Sequence, residues 1–271
     1  VTYAGAEANV AVSLQHFGIP SIHVTKFPDN DLGRAATQSL RKFGVDTSHV
    51  AYSEGRMGLY FLENGAMQRA SRIIYDRFDS AFANLGRDDF DWEDILKDAG
   101  WFHYTGITPA ISQHAADACL DALATARKNG IVTSGDINYR RNLWQYGKAA
   151  NEVMPQLIGL TDVVIAGETD IENCCGITGN SFVDACQKMM LKFPSVRKIA
   201  RTERETINSS HNRISALLWD RKVLHRSKHY DLTHIVDRIG TGDAFMAGLI
   251  FGSLTGMNDQ ASLEFATASC A

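Results

Sequence analysis

"WFHYTGITPAISQHAADACLDALATARKNGIVTSGDI", residues 101–137, holds the pattern that decides the fold. A short β-prone run, "WFHYTG", leads to a helical stretch from Gln113 to Lys128, and "IVTSGDI" then reads as a second strand. A switch from period two to period 3.6 and back marks a strand–helix–strand unit. The rhythm continues downstream with a helix near Ala149 to Ile158, strand "DVVIAG", a short helix near Asp170 and a longer one from Ser181 to Phe193. Strand "VRKIA", a pair "RISALLWD" and "KVLHRSKHY", and two closing helices complete it. Upstream, Ala8, Val10, Ala11, Leu14 and Phe17 fit one helix face, "SIHVTKF" reads as a strand, and "DLGRAATQSLRKFG" as a helix ended by Gly44. Repeated units of this kind predict an α/β fold, a doubly wound, mostly parallel sheet with helices on both faces.

One stretch breaks the rhythm. "GLYFLENGAMQRASRIIYDR", residues 58–77, has two β-prone runs around Asn64-Gly65, a strong hairpin signal. It is expected to stand away from the main sheet. Alternation puts Tyr75 and Arg77 on one face of it, with Tyr60 on the partner run. Two tyrosines and an arginine suit a polyhydroxylated acid; an ordinary exposed strand, or a face that packs on a second subunit, is the alternative.

The bulk properties exclude several classes. The 271 residues are 45% hydrophobic and 21% charged, with a net charge of -4. Mild acidity gives no basic face for nucleic acid or an anionic membrane. No apolar run approaches the ~20 residues that span a bilayer, and the start carries no signal-peptide pattern. Five cysteines, odd in number and without metal-type spacing, suit a reducing cytoplasm. The chain opens on "VTYAGAEANVAV" without Met and stops at "EFATASCA" inside an amphipathic pattern, so the natural protein is expected to extend beyond both ends.

In such sheets ligands bind beyond the carboxyl ends of strands. The loops to read are "TGIT" (105–108), "DINYRRN" (136–142), "GETD" (167–170), "RTERET" (201–206) and the start of "IVDRIGTGDAFMAGLIFGSLTG" (235–256). In the last, Gly240 and Gly242 permit close backbone approach, and a helix from Ala244 onward would aim its amides at an anion such as phosphate. Asp243 would repel that phosphate unless it faces a neighbouring hydroxyl as general base, a role worth about 10²–10⁴ in rate. The plainer alternative is an N-cap. Arg140 and Arg141 follow a strand end, where a guanidinium can grip carboxylate or phosphate; two solvated arginines opening a helix are the alternative. Walker, protein-kinase and dinucleotide fingerprints are absent.

With these residues in view, the chain resembles the PfkB (ribokinase-like) carbohydrate kinases. The resemblance rests on "AGAEANVAVSLQHFG", "KFPDNDLG" and "DRIGTGDAFMAGLI", and runs nearly end to end. "MGLYFLENG", "IIYDR" and "GDINYRRNLW" are most similar to the subfamily acting on 2-keto-3-deoxygluconate. The resemblance implies a ribokinase-like core, residues 1–56 and 80–271, with an inserted β lid at 57–79. It implies transfer of the γ-phosphate of ATP, with Mg2+, to the terminal hydroxyl of that sugar acid. Gly5, Ala6, Glu7 and Asn9 would line the sugar site, with Tyr60, Tyr75 and Arg77 reaching in from the lid. Asn138 and Arg140 would lie between sugar and nucleotide, Arg140 near the acid or the transferring phosphate. Gly167, Thr202 and Arg204 would face the nucleotide. Gly240, Thr241 and Gly242 would form the anion hole, Asp243 would be the catalytic base, and Asp170 would stand at the position tied to magnesium. The partners implied are a small sugar acid and a nucleotide, without nucleic acid or membrane, and a homo-oligomer through the lid is possible. The chain also departs from the family. Arg238 stands where the signature has Thr, Thr241 replaces Ala, "GETD" stands for N-x-x-E, and "RTERET" replaces a glycine-rich loop. Competing readings are a fructokinase- or ribokinase-like enzyme on the same scaffold, a silent sugar-acid sensor, and a nucleotide-binding scaffold whose lid serves only for assembly.

Overall fold

The computed structural model describes residues 2–63, 72–208, 211–233, 235 and 239–271. The expected Asn64-Gly65 turn and Arg238 lie outside them. The chain divides into two compact units, one of Val1–Ala83, Thr202–Ala216 and Arg226–Ala271, the other of Asn84–Arg201 and Leu217–His225.

The first unit opens with α1 (Ala6–His16), β1 (Thr25–Pro28), α2 (Asp31–Lys42) and β2 (Val50–Ser53). Asn30 caps α2, its side-chain oxygen accepting from the Leu32 and Gly33 amides at 3.1 Å each. β1 and β2 pair in parallel. The expected strand "SIHVTKF" is shorter than read: before Thr25 only Ile22 makes an isolated bridge, to Asp46. β3 (Leu59–Glu63) and β4 (Arg72–Asp76) then form a two-stranded antiparallel sheet of their own, in a register that sets Tyr60 directly opposite Tyr75 and Phe61 opposite Ile74.

The second unit carries the alternation read at 101–137. It comprises α3 (Trp92–Leu96), β5 (Trp101–Thr105), α4 (Ile107–Ile111), α5 (Gln113–Lys128), β6 (Val132–Asp136), α6 (Ala150–Ile158), β7 (Val163–Ile165), α7 (Glu168–Cys175) and α8 (Phe182–Lys192), and leads into β8 (Lys198–Asn208). β5, β6, β7 and β8 lie side by side and parallel. Beyond β8 the order continues with β9 (His211–Trp219) and β10 (Leu224–Arg226). The result is the mostly parallel α/β sheet with helices that the sequence predicts. Its core gathers Leu123, Met154, Leu157, Ile158, Ile171, Met189 and Ile199, all buried. Tyr104 packs so closely over β6 that a Cβ at position 135 would lie 2.6 Å from its ring, so that strand position takes Gly135. Asp162 is buried because it is fully engaged. One oxygen accepts from the amide and hydroxyl of Thr133 at 3.0 Å each, and the other faces Arg127 at 3.3 Å and Arg197 at 3.2 Å.

β8 and β9 run on into the first unit, where β11 (Tyr230–Thr233) pairs antiparallel with β9, followed by α9 (Thr241–Leu254) and α10 (Asp259–Ser269). These helices approach without room for a side chain: a Cβ on Gly248 would sit 2.5 Å from the Ala266 Cα.

Three further expectations are corrected. "RTERET" is not a loop but the continuation of β8. Expected beyond the carboxyl end of strand "VRKIA", it instead belongs to that strand, which runs on through it to Asn208 with β9 alongside in the sheet. "KVLHRSKHY" is two strands rather than one. Between them the Ser227 side-chain oxygen accepts from the Ala216 amide at 2.8 Å, while the Ser227 amide donates to the Ala216 carbonyl at 3.0 Å. The closing helix begins at Thr241 rather than at Ala244, because Gly240 adopts φ 83° and places the helix start immediately after it. β2, α3 and α4 were not expected; each is a run of four or five residues, too short for a periodic signal.

Candidate active site

The site in the first unit is built on two helix starts. Gly240 caps α9 in the left-handed region, and its carbonyl accepts from the Ala244 amide at 2.8 Å. The amides of a helix's first turn have no intrahelical acceptor, so this turn forms the mouth of an anion site. Asp243 is therefore the third residue of α9 and not its N-cap, which removes the plainer reading of that carboxylate. It is held from outside the helix: Asn9 Nδ2 donates to Asp243 Oδ2 at 2.7 Å. Asn9 lies in the first turn of α1, whose N-cap is Gly5 and which also carries Ala6 and Glu7, so the sugar-site residues expected at the N-terminus and the expected base share one place.

Tyr60, Tyr75 and Arg77 also meet. The Arg77 guanidinium carbon lies 5.6 Å from the Tyr60 ring centroid and 5.2 Å from that of Tyr75. Cation–π contacts of this kind are worth about 0.5–1 kcal/mol each when exposed and about 2 when desolvated. Burial pushes the pKa of Arg77 down from its ordinary value, opposed by the fields of Tyr75, Glu7 and Tyr60. Arginine stays charged in proteins, so this is a cation stripped of part of its water beside the helix start that carries Glu7. A further group entered no reading of the sequence. Burial holds the His23 imidazole below 6.5, with the Glu7 carboxylate working against it. A lone histidine at a strand's approach carries no periodic or motif signal.

On β8, Thr202 and Arg204 are exposed, and Arg204 Nη2 donates to Thr241 Oγ1 at 3.0 Å. This bond joins the extended "RTERET" segment to the glycine loop.

The remaining expected residues lie in the second unit. Asn138 takes φ 41° after β6, its amide donating to Asp136 Oδ1 at 3.1 Å. Arg140 is exposed. Gly167 caps α7, and its amide donates to Asp170 Oδ2 at 2.9 Å, while Asp170 Oδ1 accepts from the Tyr139 amide at 3.2 Å. Asp170 thus ties the 136–142 loop to the start of α7. Glu168, next to Gly167, pairs with Arg201, whose guanidinium also stacks on Phe182 at 4.8 Å. The described cysteines are all buried. Among the described residues no helix is long and apolar enough to cross a membrane.

Comparison with known proteins bears on this geometry. The family model "pfkB family carbohydrate kinase" matches residues 1–271. A 2-dehydro-3-deoxygalactonokinase of Haloferax volcanii is 31% identical over 268 residues, covering 99% of this chain and 80% of its own. A 2-dehydro-3-deoxygluconokinase of Bacillus subtilis is 29% identical, covering 94% and 75%. The crystal structure of a 2-dehydro-3-deoxygluconokinase from Thermotoga maritima superposes with a TM-score of 0.93 at 42% identity, covering 100% of this chain and 84% of that one.

Proposed function

The chain belongs to the pfkB family of carbohydrate kinases, and we propose that it transfers the γ-phosphate of ATP to the terminal C6 hydroxyl of 2-keto-3-deoxygluconate, giving 2-keto-3-deoxy-6-phosphogluconate. The observation that carries the substrate class is Arg77, partly desolvated between Tyr60 and Tyr75. A neutral sugar such as fructose or ribose offers that guanidinium no charge partner, whereas a sugar acid brings a carboxylate. The relatives' names point to the same 2-keto-3-deoxy acids.

In this mechanism Asp243 takes the C6 hydroxyl proton as that oxygen attacks the γ-phosphorus; the O6–P bond forms, the bond to the β-phosphate oxygen breaks, and ADP leaves. Asn9 fixes the carboxylate orientation through its 2.7 Å bond. Gly240, Thr241 and Gly242 present the first-turn amides to the transferring group, so the protein supplies position and charge stabilisation rather than covalent chemistry. Gly5, Ala6, Glu7 and Asn9 hold the sugar, and Asn138, Arg140, Gly167, Thr202 and Arg204 serve the nucleotide and the acid. Magnesium would be held through Asp170. Its oxygens each accept one amide, a carboxylate offers about four lone-pair sites, and Mg2+ takes one or two carboxylates beside phosphates and waters. When bound, the ion neutralises phosphate charge.

Residues 57–79 act as a lid in this reading. Alternation and register place Leu59, Phe61 and Ile74 on the face opposite Tyr60 and Tyr75, and they are 40%, 54% and 42% exposed. A two-stranded sheet with such a face is marginal alone, which supports assembly of two copies through it. Phe61→Glu is then expected to shift the protein from dimer to monomer in light scattering; a wild-type monomer would exclude the assembly. A cytoplasmic setting agrees with the buried thiols.

The reaction is tested by incubating the protein with MgATP and 2-keto-3-deoxygluconate and locating the phosphate by phosphorus–carbon coupling in NMR. Coupling to C6 is the expected result. Phosphate on another carbon, or ADP release without a phosphorylated acid, rejects it.

A further inference from the structure

The chain enters and leaves the β3–β4 sheet at one crossing, and a second arginine sits in it. β3 begins at Leu59, paired with Asp76, so the ladder ends there and the backbone of Arg77 and Phe78 runs on past it. Arg56, just before β3, takes up that end with its side chain. Its Nη1 donates to the Phe78 carbonyl at 2.9 Å and its Nη2 to the Asp76 carbonyl at 3.1 Å, while the same Nη2 meets Asp76 Oδ2 at 2.5 Å. The two carbonyls belong to the residues on either side of Arg77. One planar fork therefore bridges the peptide units that flank it.

Arg56 has a fixed base from which to do this. Its carbonyl accepts from the Ala81 amide at 2.9 Å, it forms a parallel bridge with Ser80, and Ser80 and Ala81 are both buried. The returning chain turns at Asp79, a non-glycine residue held at φ 53°. The two passes run close together: a Cβ on Gly58 would lie 3.3 Å from Ser80 Oγ and 3.7 Å from the Arg77 Cα.

The Arg56–Asp76 ion pair is exposed, its side chains 40% and 46% accessible, and such pairs contribute little to folding. The carbonyl bonds have the specific consequence. They fix the backbone on both sides of a residue whose guanidinium must stay against the Tyr60 and Tyr75 rings. An arginine gives up rotamer freedom when it grips a carboxylate, and one already held in place has less to lose on binding.

We propose that Arg56 is a positioning residue for Arg77: by clamping the carbonyls of Asp76 and Phe78 it pre-sets the guanidinium that receives the substrate's carboxylate. The inference rests on the sugar-acid reading above and adds the residue that sets its geometry. Arg56 acts on affinity for the acid through Arg77, not on the transfer of the phosphoryl group.

The test is a double-mutant cycle of Arg56→Ala, Arg77→Ala and both together, with Arg56→Lys alongside. It is read by KM and kcat for 2-keto-3-deoxygluconate at saturating MgATP, by calorimetric binding of the acid, and by thermal melting of each protein. Arg56→Ala is expected to raise the acid KM roughly 2- to 12-fold, the range for ordering one flexible side chain. The kcat, the KM for ATP and the melting temperature should stay close to wild type. In the Arg77→Ala background the same substitution should add nothing, because the residue it positions is gone. Arg56→Lys keeps a charge opposite Asp76 but cannot span both carbonyls, so it should recover only part of the affinity. An unchanged acid KM in Arg56→Ala, an equal loss with and without Arg77, or full recovery in Arg56→Lys would overturn the proposal. Should Arg56→Ala fail to fold, Arg56→Lys in the two backgrounds makes the same comparison. Wild-type acid affinity in Arg77→Ala defeats the sugar-acid reading and this proposal with it, whereas a loss there with none in Arg56→Ala defeats this proposal alone.

Discussion

Asp243→Asn is expected to lower kcat for phosphoryl transfer by about 10²–10⁴-fold, the worth of a positioned general base. The substitution keeps the size of the side chain and an oxygen that can accept from Asn9 Nδ2, so the contact that orients position 243 survives. What is lost is the ability to take the proton from the attacking hydroxyl. Because that interaction exists only as the proton moves, the loss should fall on kcat, with the KM for the sugar acid little changed. Calorimetry with the acid on the variant separates the two. Normal binding with collapsed turnover fits a base. Collapsed binding would mean that the Asn9–Asp243 pair shapes the pocket instead, and retained turnover would mean that the proton leaves by another route. The sensor reading predicts no turnover in either protein.

Arg77→Ala is the second large effect. A hydrogen bond to a charged group is worth about 1.5–3 kcal/mol, which is roughly a 10- to 150-fold rise in KM for the sugar acid. The KM for ATP should not move, and residual activity toward a neutral sugar should be unaffected. Arg77→Lys is expected to recover only part of the loss. A lysine keeps the charge but not the planar fork that lies against both rings, at 5.6 and 5.2 Å in the present structure. Steady-state kinetics with both substrates varied decides it. An unchanged acid KM in Arg77→Ala would remove the physical ground for an acid over a neutral sugar, and would favour the reading in which the lid serves assembly alone.

The parts of this molecule legible in the sequence are those whose signal is local and periodic. α5 runs from Gln113 to Lys128 as the spacing predicts, because sixteen residues give several turns of helical repeat. The β3–β4 ladder is legible for the same reason at period two, and alternation placed Tyr75 and Arg77 together. The stacked cation was not legible, since it needs Tyr60 opposite Tyr75, a matter of cross-strand register. The Asn9–Asp243 bond joins residues 234 apart. No window on the sequence contains both, and only a motif that names each end could bring them to one site. "RTERET" misled because the apolar run "VRKIA" ends before it, whereas the backbone continues extended to Asn208. The start of α9 was displaced because Thr241 and Gly242 are poor helix formers by propensity, while the left-handed Gly240 before them fixes the helix geometrically.

The central claim is that this fold is a kinase for a keto-deoxy sugar acid, and the most direct measurement is kcat/KM of the wild-type protein with MgATP for 2-keto-3-deoxygluconate, its galactonate-derived epimer, fructose and ribose. The account predicts turnover of at least one keto-deoxy acid, with kcat/KM exceeding that of both neutral sugars by at least the roughly 10-fold that one charge-assisted hydrogen bond supplies. Equal or faster phosphorylation of fructose or ribose would contradict it, leaving the family and the phosphoryl chemistry in place and the substrate wrong.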